Sequence, residues 1–419
     1  MIDLKVIESK PEEIVRLLKK KGMEDPPIGR ILELNEKRKN LIREVDSLRH
    51  LQNVTSREIQ KNPKDRDTLI MKMREIAPHL KTLEEELRLT EEELRGLMLT
   101  LPNLPHESVP EGRDESENLP IRYWGDPPSF DFPVKDHMDL GEALDIIDIK
   151  RAAKVSGARF YYLKREAVIL EYALIQFVTR FLINEGFIPV LPPVLIREEV
   201  LYQLGYLPEL DEQMYRISTD ELRLAGTSEH TVIPIFKDEV LDVKELPQRF
   251  ISFSSCFRRE AGAAGKDTRG ILRVHQFDKL EMLSFSHPDR SWEEHEFLLS
   301  VEEKIMQELN IPYRVVLICA GDLGFPASKK YDIEAWMPGQ NRYRETHSCS
   351  NCTDFQARRL NIRYRDEEGN LSYVHTLNGT ALAIGRTLIA IIENNQRRDG
   401  SIKVPNVLTP YTGFGVIER

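Results

Sequence analysis

Apolar residues in the N-terminal quarter of the chain recur at alternating steps of three and four. They form two runs, first Ile31, Leu34, Leu41, Val45 and Leu48, and then Leu69, Met73, Ile76, Leu80, Leu83, Leu87, Leu94, Leu97 and Leu101. This heptad period is typical of helices that wrap around each other. The turn-forming residues 61–65 separate the runs. We therefore predict an antiparallel α-helical coiled-coil hairpin over about residues 28–100, with a kink at Pro78.

Prolines mark the end of this helical region. Seven of them lie between residues 102 and 133, in a segment with many acidic and few aliphatic residues. Such a composition is typical of a linker. We therefore predict an N-terminal helical arm at 1–103, a linker at 104–135 and a second domain at 136–419.

The second domain mixes helical with β-rich stretches. Helical patterns cover about 163–186, 291–309 and 380–395, and β-rich stretches cover 249–253, 272–277, 280–285 and 313–318. The strands cluster and do not alternate regularly with helices, which favours an α+β domain built on an antiparallel sheet.

Charge is unevenly distributed along the chain, whose net charge is −10. Residues 37–72, the tip half of the hairpin, hold ten Lys and Arg against five Asp and Glu. After residue 100 the balance reverses to 38 against 49. A rod that is basic at its far end suits a phosphate backbone. A solvated coiled coil that dimerises or spaces domains fits the same charges, so both interpretations stay open.

Composition also bears on location and on the cysteines. No apolar run approaches the ~20 residues that span a bilayer, and the N-terminus lacks the apolar core of a secretory signal. We therefore expect a cytoplasmic protein without a membrane partner.

Cys349 and Cys352 have the spacing Cys-Ser-Asn-Cys, but no second Cys or His pair stands nearby at zinc-ligand spacing. We expect the cysteines to be free and reduced.

One segment concentrates positive charge between two strand-like runs. Six cations fall within 22 residues: Arg258, Arg259, Lys266, Arg269, Arg273 and Lys279. Glycines 262, 265 and 270 allow close approach of the backbone to a ligand. Arginine forks suit carboxylate and phosphate, so a polyanionic substrate is expected. The segment matches neither a P-loop nor a dinucleotide fingerprint, and a solvated basic hairpin is the alternative.

Three stretches of the chain resemble the signature motifs of the class II aminoacyl-tRNA synthetases in their seryl-type form. FRREAGAAGKDTRGILRVHQFDKLE, within about 249–285, resembles the second motif, and LNGTALAIGRTLIAIIENNQ, within about 375–396, resembles the third. GFIPVLPPVL, within about 180–200, resembles the first motif, whose proline, by alignment Pro193, lies at a dimer interface. The likeness extends to the hairpin, the linker and the C-terminal tail, and so covers nearly the whole chain.

The resemblance to seryl-tRNA synthetases implies a fold, a reaction and partners. The fold would be an antiparallel-sheet class II catalytic domain preceded by the long helical hairpin. The reaction would be ATP- and Mg²⁺-dependent activation of L-serine to seryl-adenylate, followed by transfer to the 3′ end of tRNA(Ser), and to tRNA(Sec) where it exists. The arm would bind the tRNA, and the enzyme would be a homodimer.

The same resemblance assigns roles to individual residues. Arg258 matches the arginine for the serine carboxylate and α-phosphate, Glu260 the acid at the adenine amino group, and Arg386 the arginine for the γ-phosphate; these three are the expected catalytic residues. Thr227, Ser228, Glu229, Arg258, Glu281 and Thr380 match the serine site. Arg258, Arg259, Glu260, Val274, Phe277, Glu345, Thr346, His347, Ser348 and Arg386 match the ATP site, with Glu345 and Ser348 as magnesium ligands.

Two departures and two alternatives accompany this assignment. His347 stands where small residues are frequent in the family, and Ala381 where glycine is common, but neither removes a required group. One alternative is a synthetase-like ligase that loads an amino acid onto a carrier protein, although such homologues lack the hairpin. The other is a catalytically inactive paralogue that binds RNA.

Overall fold

The computed structural model describes residues 1–61, 66–261 and 269–419. The predicted turn at 61–65 lies largely outside the described residues, as do Gly262, Gly265 and Lys266 of the cationic segment. The chain forms two compact units, Met1–Pro102 and Asn103–Arg419.

The N-terminal unit consists of helices. They are α1 (Leu4–Ser9), α2 (Pro11–Lys20), α3 (Ile28–Lys61) and α4 (Arg66–Leu99). Leu41 and Val45 of α3 are buried together with Leu80 and Leu83 of α4, as the heptads require. Pro78 lies inside α4, and the chain is helical on both sides of it.

Ion pairs between the two long helices establish their direction. Arg30 pairs with Glu93 at 2.7 Å, Lys37 with Glu86 at 2.8 Å and Arg49 with Glu84 at 2.8 Å. Residues early in α3 thus meet residues late in α4, which confirms the predicted antiparallel hairpin. All six side chains are well exposed, so these pairs contribute little stability, and the apolar seam holds the helices together.

The second unit contains nine helices and eighteen strands among its described residues. The helices are α5 (His137–Ala143), α6 (Ile149–Ser156), α7 (Glu166–Asn184), α8 (Glu198–Leu204), α9 (Glu229–Val232), α10 (Ser291–Glu308), α11 (Phe355–Leu360), α12 (Ile384–Asn394) and α13 (Thr409–Thr412). The strands are β1 (Leu119–Trp124), β2 (Ile147–Asp148), β3 (Tyr162–Leu163), β4 (Ile188–Val190), β5 (Leu195–Arg197), β6 (Arg216–Ile217), β7 (Leu222–Leu224), β8 (Val240–Asp242), β9 (Gln248–Phe257), β10 (Gln276–Ser286), β11 (Tyr313–Leu317), β12 (Lys329–Met337), β13 (Arg342–Asn351), β14 (Arg363–Arg365), β15 (Leu371–Tyr373), β16 (His375–Ala383), β17 (Ile402–Lys403) and β18 (Val416–Ile417).

An eight-stranded sheet forms the centre of this unit. Its order is β1-β11-β12-β13-β16-β10-β9-β4, and every neighbouring pair is antiparallel except β4 with β9. The predicted α+β class with an antiparallel sheet is confirmed. Strand β1 falls within residues 104–135 and pairs with β11, so part of the predicted linker belongs to the sheet.

The hydrophobic core joins the sheet to three long helices. Val178 of α7, Val301 of α10 and Ile391 of α12 are completely buried in the same cluster as Leu280 and Met282 of β10. Burial on this scale stabilises the sheet by about 1.5–3 kcal/mol for each large apolar side chain.

Two elements predicted from the sequence have different boundaries. The strand predicted at 272–277 begins only at Gln276. Residues 272–275 are irregular, and the apolar side chains of Leu272 and Val274 that suggested a strand are buried from this irregular backbone. The helix predicted from residue 380 begins at Ile384, because residues 380–383 pair with β10 as the end of β16. The helix propensity of the alanines there is overridden by sheet pairing.

Two further properties concern the whole described chain. Its helices all fall short of the combined length and apolarity needed to cross a bilayer. The four cysteines, all described, are buried and free of disulfides.

Candidate active site

Two neighbouring cavities of the second unit contain most of the predicted site residues. The first, of about 240 Å³, is lined by Arg258, Glu260, Val274, Phe277, Glu345, Thr346, Ser348, Thr380 and Arg386, among others. The second, of about 660 Å³, adds Thr227, Glu229 and Glu281 and shares Arg258, Glu260, Glu345, Ser348 and Arg386 with the first. The two cavities therefore form one site.

A β-bulge in β13 brings Glu345 and Ser348 to the same wall. Side chains on a regular strand alternate between faces, so residues three apart point in opposite directions. Ile333 of β12 pairs with His347, but the next residue, Glu334, pairs with Glu345. Thr346 is the extra residue, and this insertion lets Glu345 and Ser348 both line the cavities.

A second bulge lies in β16. Leu280 of β10 pairs with Leu382, but Glu281 pairs with Thr380, which leaves Ala381 as the extra residue. Thr380 and Ala383, also three apart, consequently both line the first cavity. Ala381 itself is completely buried.

Arg258 follows the end of β9 and borders both cavities. Its Nε donates to the Gly226 carbonyl at 3.1 Å, and its guanidinium lies 5.3 Å from the Phe277 ring centroid. These contacts orient the guanidinium and leave its other N–H groups available to an anion.

Glu260 adopts a left-handed backbone conformation, with φ of +51°. Such a conformation costs a non-glycine residue about 1 kcal/mol and is concentrated at functional sites. The Glu260 carboxylate accepts a bond from Arg273 Nη1 at 3.0 Å. This ion pair holds both side chains against the wall of the first cavity.

Charged groups alternate at the Glu345 end of the site. Arg386 Nη1 donates to the Glu345 carbonyl at 2.9 Å and to its carboxylate at 3.1 Å. Lys330 lines both cavities and pairs with Asp332 at 3.0 Å. Desolvation opposes ionisation of Glu345, whose side chain is still 46% exposed, but Arg386 and Lys330 outweigh it and lower the pKa of Glu345.

Glu229 lies at the opposite end, in the short helix α9. Only 5% of the residue is exposed, and it accepts a hydrogen bond from Gln356 Nε2 at 2.9 Å. The Tyr206 hydroxyl is a second hydrogen-bond partner, and burial raises the pKa of Glu229 despite both bonds. Burial lowers the pKa of neighbouring His230 to about 3, so that imidazole is neutral. Glu229 is thus positioned to receive a cation.

Lys279 and Glu281 form a buried ion pair on β10. Glu281 is 2% and Lys279 7% exposed, and Thr380 Oγ1 donates to Glu281 Oε2 at 3.4 Å. The pair and the hydroxyl form a small polar cluster, and Ser348 Oγ lies 3.5 Å from Thr380 Oγ1 at its edge.

Three predicted site residues do not border either cavity. Ser228 is completely buried, Arg259 is exposed, and His347 is buried on the far side of the bulge, with Nδ1 2.8 Å from Thr346 Oγ1. Their assignments remain predictions. Burial lowers the pKa of His347 to about 4, so its imidazole is neutral.

Family models match both units of the chain. Residues 1–105 match the seryl-tRNA synthetase N-terminal domain. Residues 213–395 match the core domain of class II tRNA synthetases for Gly, His, Pro, Ser and Thr. A serine–tRNA ligase of Thermodesulfovibrio yellowstonii is 46% identical over 425 residues and the alignment covers 100% of both chains.

The chain belongs to the seryl-tRNA synthetase family. A crystal structure of the Pyrococcus horikoshii seryl-tRNA synthetase complexed with ATP superposes with a TM-score of 0.94 at 44% identity, covering 100% of this chain and 99% of that one. The cytoplasmic serine–tRNA ligase of Naegleria fowleri, solved with AMP, gives 0.90 at 33% identity with the same coverage.

Three residues that help to shape this seryl-tRNA synthetase site were not predicted from the sequence. Lys330, Tyr206 and Gln356 all contact or border the groups described above. The sequence marks Lys279 only as one of six cations. Phe277, Lys279 and Glu281 are two residues apart on one strand, so they share a face, and this spacing could have predicted Lys279 in the cavity. No short-range pattern connects Tyr206 or Gln356 with Glu229.

Replacing Lys279 with Met leaves the Glu281 carboxylate buried without its cation. We expect the free energy of unfolding to fall by about 3–5 kcal/mol, measured by chemical denaturation. The double variant Lys279→Met/Glu281→Gln should regain at least half of this loss, because the uncompensated charge is gone. Lys304→Met, which breaks an exposed pair with Glu185, is the control and should cost less than about 1 kcal/mol. A Lys279→Met variant as stable as this control would contradict the role of the pair.

Proposed function

We propose that this chain activates L-serine with ATP and transfers the seryl group to the terminal ribose of tRNA(Ser), and of tRNA(Sec) where it exists. The supporting observation is one cavity wall that combines a buried acid at Glu229, a polar cluster at Glu281 and Thr380, and cations at Arg258 and Arg386. Full-length similarity to serine–tRNA ligases supports the same reaction.

The three functional groups of serine match three parts of the site. The ammonium group would lie against Glu229 and Thr227, and the carboxylate against Arg258. The hydroxyl would bond to Glu281 and Thr380. Glycine and alanine lack this hydroxyl and would leave the buried Glu281 and Thr380 groups without a partner, which gives strong discrimination against them.

ATP would occupy the first cavity. Val274 and Phe277 provide an apolar wall for adenine, Glu260 an acceptor for its amino group, and Arg258 and Arg386 cations for the α- and γ-phosphates. We also propose Arg259, Thr346 and His347 as part of this ATP site and Ser228 as part of the serine site, although only Thr346 borders a cavity.

Activation needs positioning more than a protein nucleophile. A serine carboxylate oxygen would attack the α-phosphorus, and the bond from that phosphorus to the bridging oxygen would break with release of pyrophosphate. Arg258 would neutralise charge that develops on the α-phosphate, and Arg386 charge on the leaving group. The tRNA ribose hydroxyl would then attack the mixed anhydride and release AMP.

Magnesium is proposed on the chemistry of the donors. A carboxylate at Glu345 and a hydroxyl at Ser348 line the same wall, and Mg²⁺ prefers such oxygens together with substrate phosphates. The low pKa of Glu345 keeps the carboxylate ionised for this purpose. When bound, the metal would withdraw charge from the phosphate oxygens.

The first test replaces Arg258 with Ala. We expect serine-dependent pyrophosphate exchange to fall at least about 100-fold, because Arg258 contacts both reacting groups. Arg290→Ala, a change to an exposed arginine away from the cavities, is the control and should retain exchange. Near-normal exchange by Arg258→Ala would refute the assignment.

The same assays separate the two alternatives. Exchange without tRNA charging would favour a ligase that uses another acceptor, and no exchange by the parent chain would favour an inactive RNA-binding paralogue. The described helical hairpin argues against the carrier-protein ligase, and the cavity residues argue against the inactive paralogue.

We further propose that the hairpin grips the tRNA. The tip half, residues 37–72, has ten cations and five acids, a balance suited to phosphates. Replacing residues 41–82 with a short Gly-rich turn keeps the pairs Arg30–Glu93 and Lys37–Glu86 at the base. We expect pyrophosphate exchange to be unchanged and tRNA charging to fall at least about 100-fold. Charging at the parental rate would refute the role of the arm.

We also propose a homodimer formed through the first motif. Exposed apolar side chains recur along α7, β4 and the residue after β4, shortly before Pro193: Ile169, Tyr172, Ile183, Ile188 and Leu191, the last 80% exposed. A large exposed apolar patch marks an interaction surface. Sedimentation equilibrium should give twice the chain mass of 48.6 kDa, and Tyr172→Glu/Leu191→Glu should give the single mass. A monomeric parent would refute the dimer.

The cytoplasmic location stays a prediction.

A further inference from the structure

A chain of buried polar groups lies behind Glu229 and has no part in the reaction described above. Gln356 of α11 and Thr376 of β16 are both completely buried. Gln356 borders neither cavity, so it would not touch serine or ATP. Buried polar side chains of this kind are costly unless they are hydrogen-bonded, and their placement requires an explanation.

The hydrogen bonds define the orientation of the Gln356 amide. Thr376 Oγ1 donates to Gln356 Oε1 at 2.7 Å, and Gln356 Nε2 donates to Glu229 Oε1 at 2.9 Å. The opposite orientation would place the amide oxygen against the carboxylate, with no proton between two acceptors. The carboxylate therefore sets which end of the amide faces Glu229, and the Thr376 hydroxyl, which can donate or accept, supports that orientation by donating to the amide oxygen.

The backbone around Thr376 holds this hydroxyl in place. Thr376 N donates to the Thr353 carbonyl at 2.9 Å, and Cys352 N donates to the Thr376 carbonyl at 2.9 Å. The hydrogen bonds from Thr376 to Gln356 and from Gln356 to Glu229 thus form a relay. It starts from the central sheet and ends at the acid in α9, a helix that is too short to position that acid by itself.

Several charged and titratable groups act on the Glu229 carboxylate. Burial raises its pKa, the hydrogen bonds from Tyr206 and Gln356 lower it, Glu281 raises it and Lys279 lowers it. His230, on the same helix, is neutral. The Gln356 donor is consequently one of two neutral groups that favour the ionised carboxylate in a buried location.

We propose that Gln356, anchored by the hydrogen bond from Thr376, is a positioning residue that holds the Glu229 carboxylate ready to receive the ammonium group of the amino acid substrate. This inference rests on the proposed function, because it gives Glu229 that ligand. The relay acts on serine recognition and leaves ATP recognition to other residues.

The test compares three threonine variants in the full-length chain. Thr376→Val removes the hydroxyl at nearly constant volume, Thr376→Ser retains it, and Thr387→Val is the matched control. Thr387 is also completely buried, and its hydroxyl has no hydrogen-bond partner among the described residues. The readout is pyrophosphate exchange from pH 6 to 9 at varied serine and varied ATP, with melting temperatures as a check on folding.

For Thr376→Val we expect the KM for serine to rise about 10-fold and the KM for ATP to stay within about twofold, as for the loss of a hydrogen bond that supports a charged group. Without the Thr376 hydroxyl the Gln356 amide is no longer anchored, so its donation to the Glu229 carboxylate weakens and the pKa of Glu229 rises further. The acid limb of kcat/KM for serine should therefore move to higher pH. Thr376→Ser should restore both values, and Thr387→Val should change neither.

A second variant tests the amide directly. Gln356→Met keeps the length of the side chain and removes the donor, and we expect a larger rise in the serine KM, up to about 100-fold, with the same shift of the acid limb. Equal changes in the KM for serine and for ATP, or an unmoved acid limb in both Thr376→Val and Gln356→Met, would overturn the relay.

These outcomes distinguish the relay from the function on which it rests. A parent chain with serine-dependent exchange, together with variants that behave like Thr387→Val, would overturn the relay alone. A parent chain without such exchange would overturn the proposed function and the relay together.

Discussion

The antiparallel pairing of β10 with β16 is the constraint on which the site depends. These strands lie inside the eight-stranded sheet, with further strands on both sides, and are buried over most of their length. Their register places Glu281 opposite Thr380 and Lys279 opposite Ala383. A slip of β16 by one residue would turn Thr380 and Ala383 away from Glu281 and Lys279, to the other face of the sheet. The apolar packing beneath the sheet therefore also determines the chemistry above it.

Paired charges form the second organising feature. Four pairs around the site each combine a cation with an acid: Lys279 with Glu281, Arg273 with Glu260, Arg386 with Glu345 and Lys330 with Asp332. Burying such pairs is costly, and they contribute little net stability. Their value lies in preorganisation, since each cation is held in place before a polyanionic ligand arrives.

Much of the architecture could be predicted from the sequence, because it depends on local periodicity. The heptads of α3 and α4 and the clustered strands each carry their own pattern, and the resemblance of the second and third motifs located much of the cavity. The bulges at Thr346 and Ala381 could not be predicted, since an extra residue is defined only by the partner strand. Gln356 and Tyr206 reach Glu229 across long sequence separations, and nothing local marks them.

The heptad seam of the N-terminal hairpin has a consequence for how its length can change. Seven residues removed from α3 must be matched by seven removed from α4, or the apolar stripe of one helix would lose its counterpart. Each such matched step alters the length of the rod by roughly 10 Å. The length of the hairpin can therefore change only in steps of whole heptads, and such a change leaves the packing at its base unaltered.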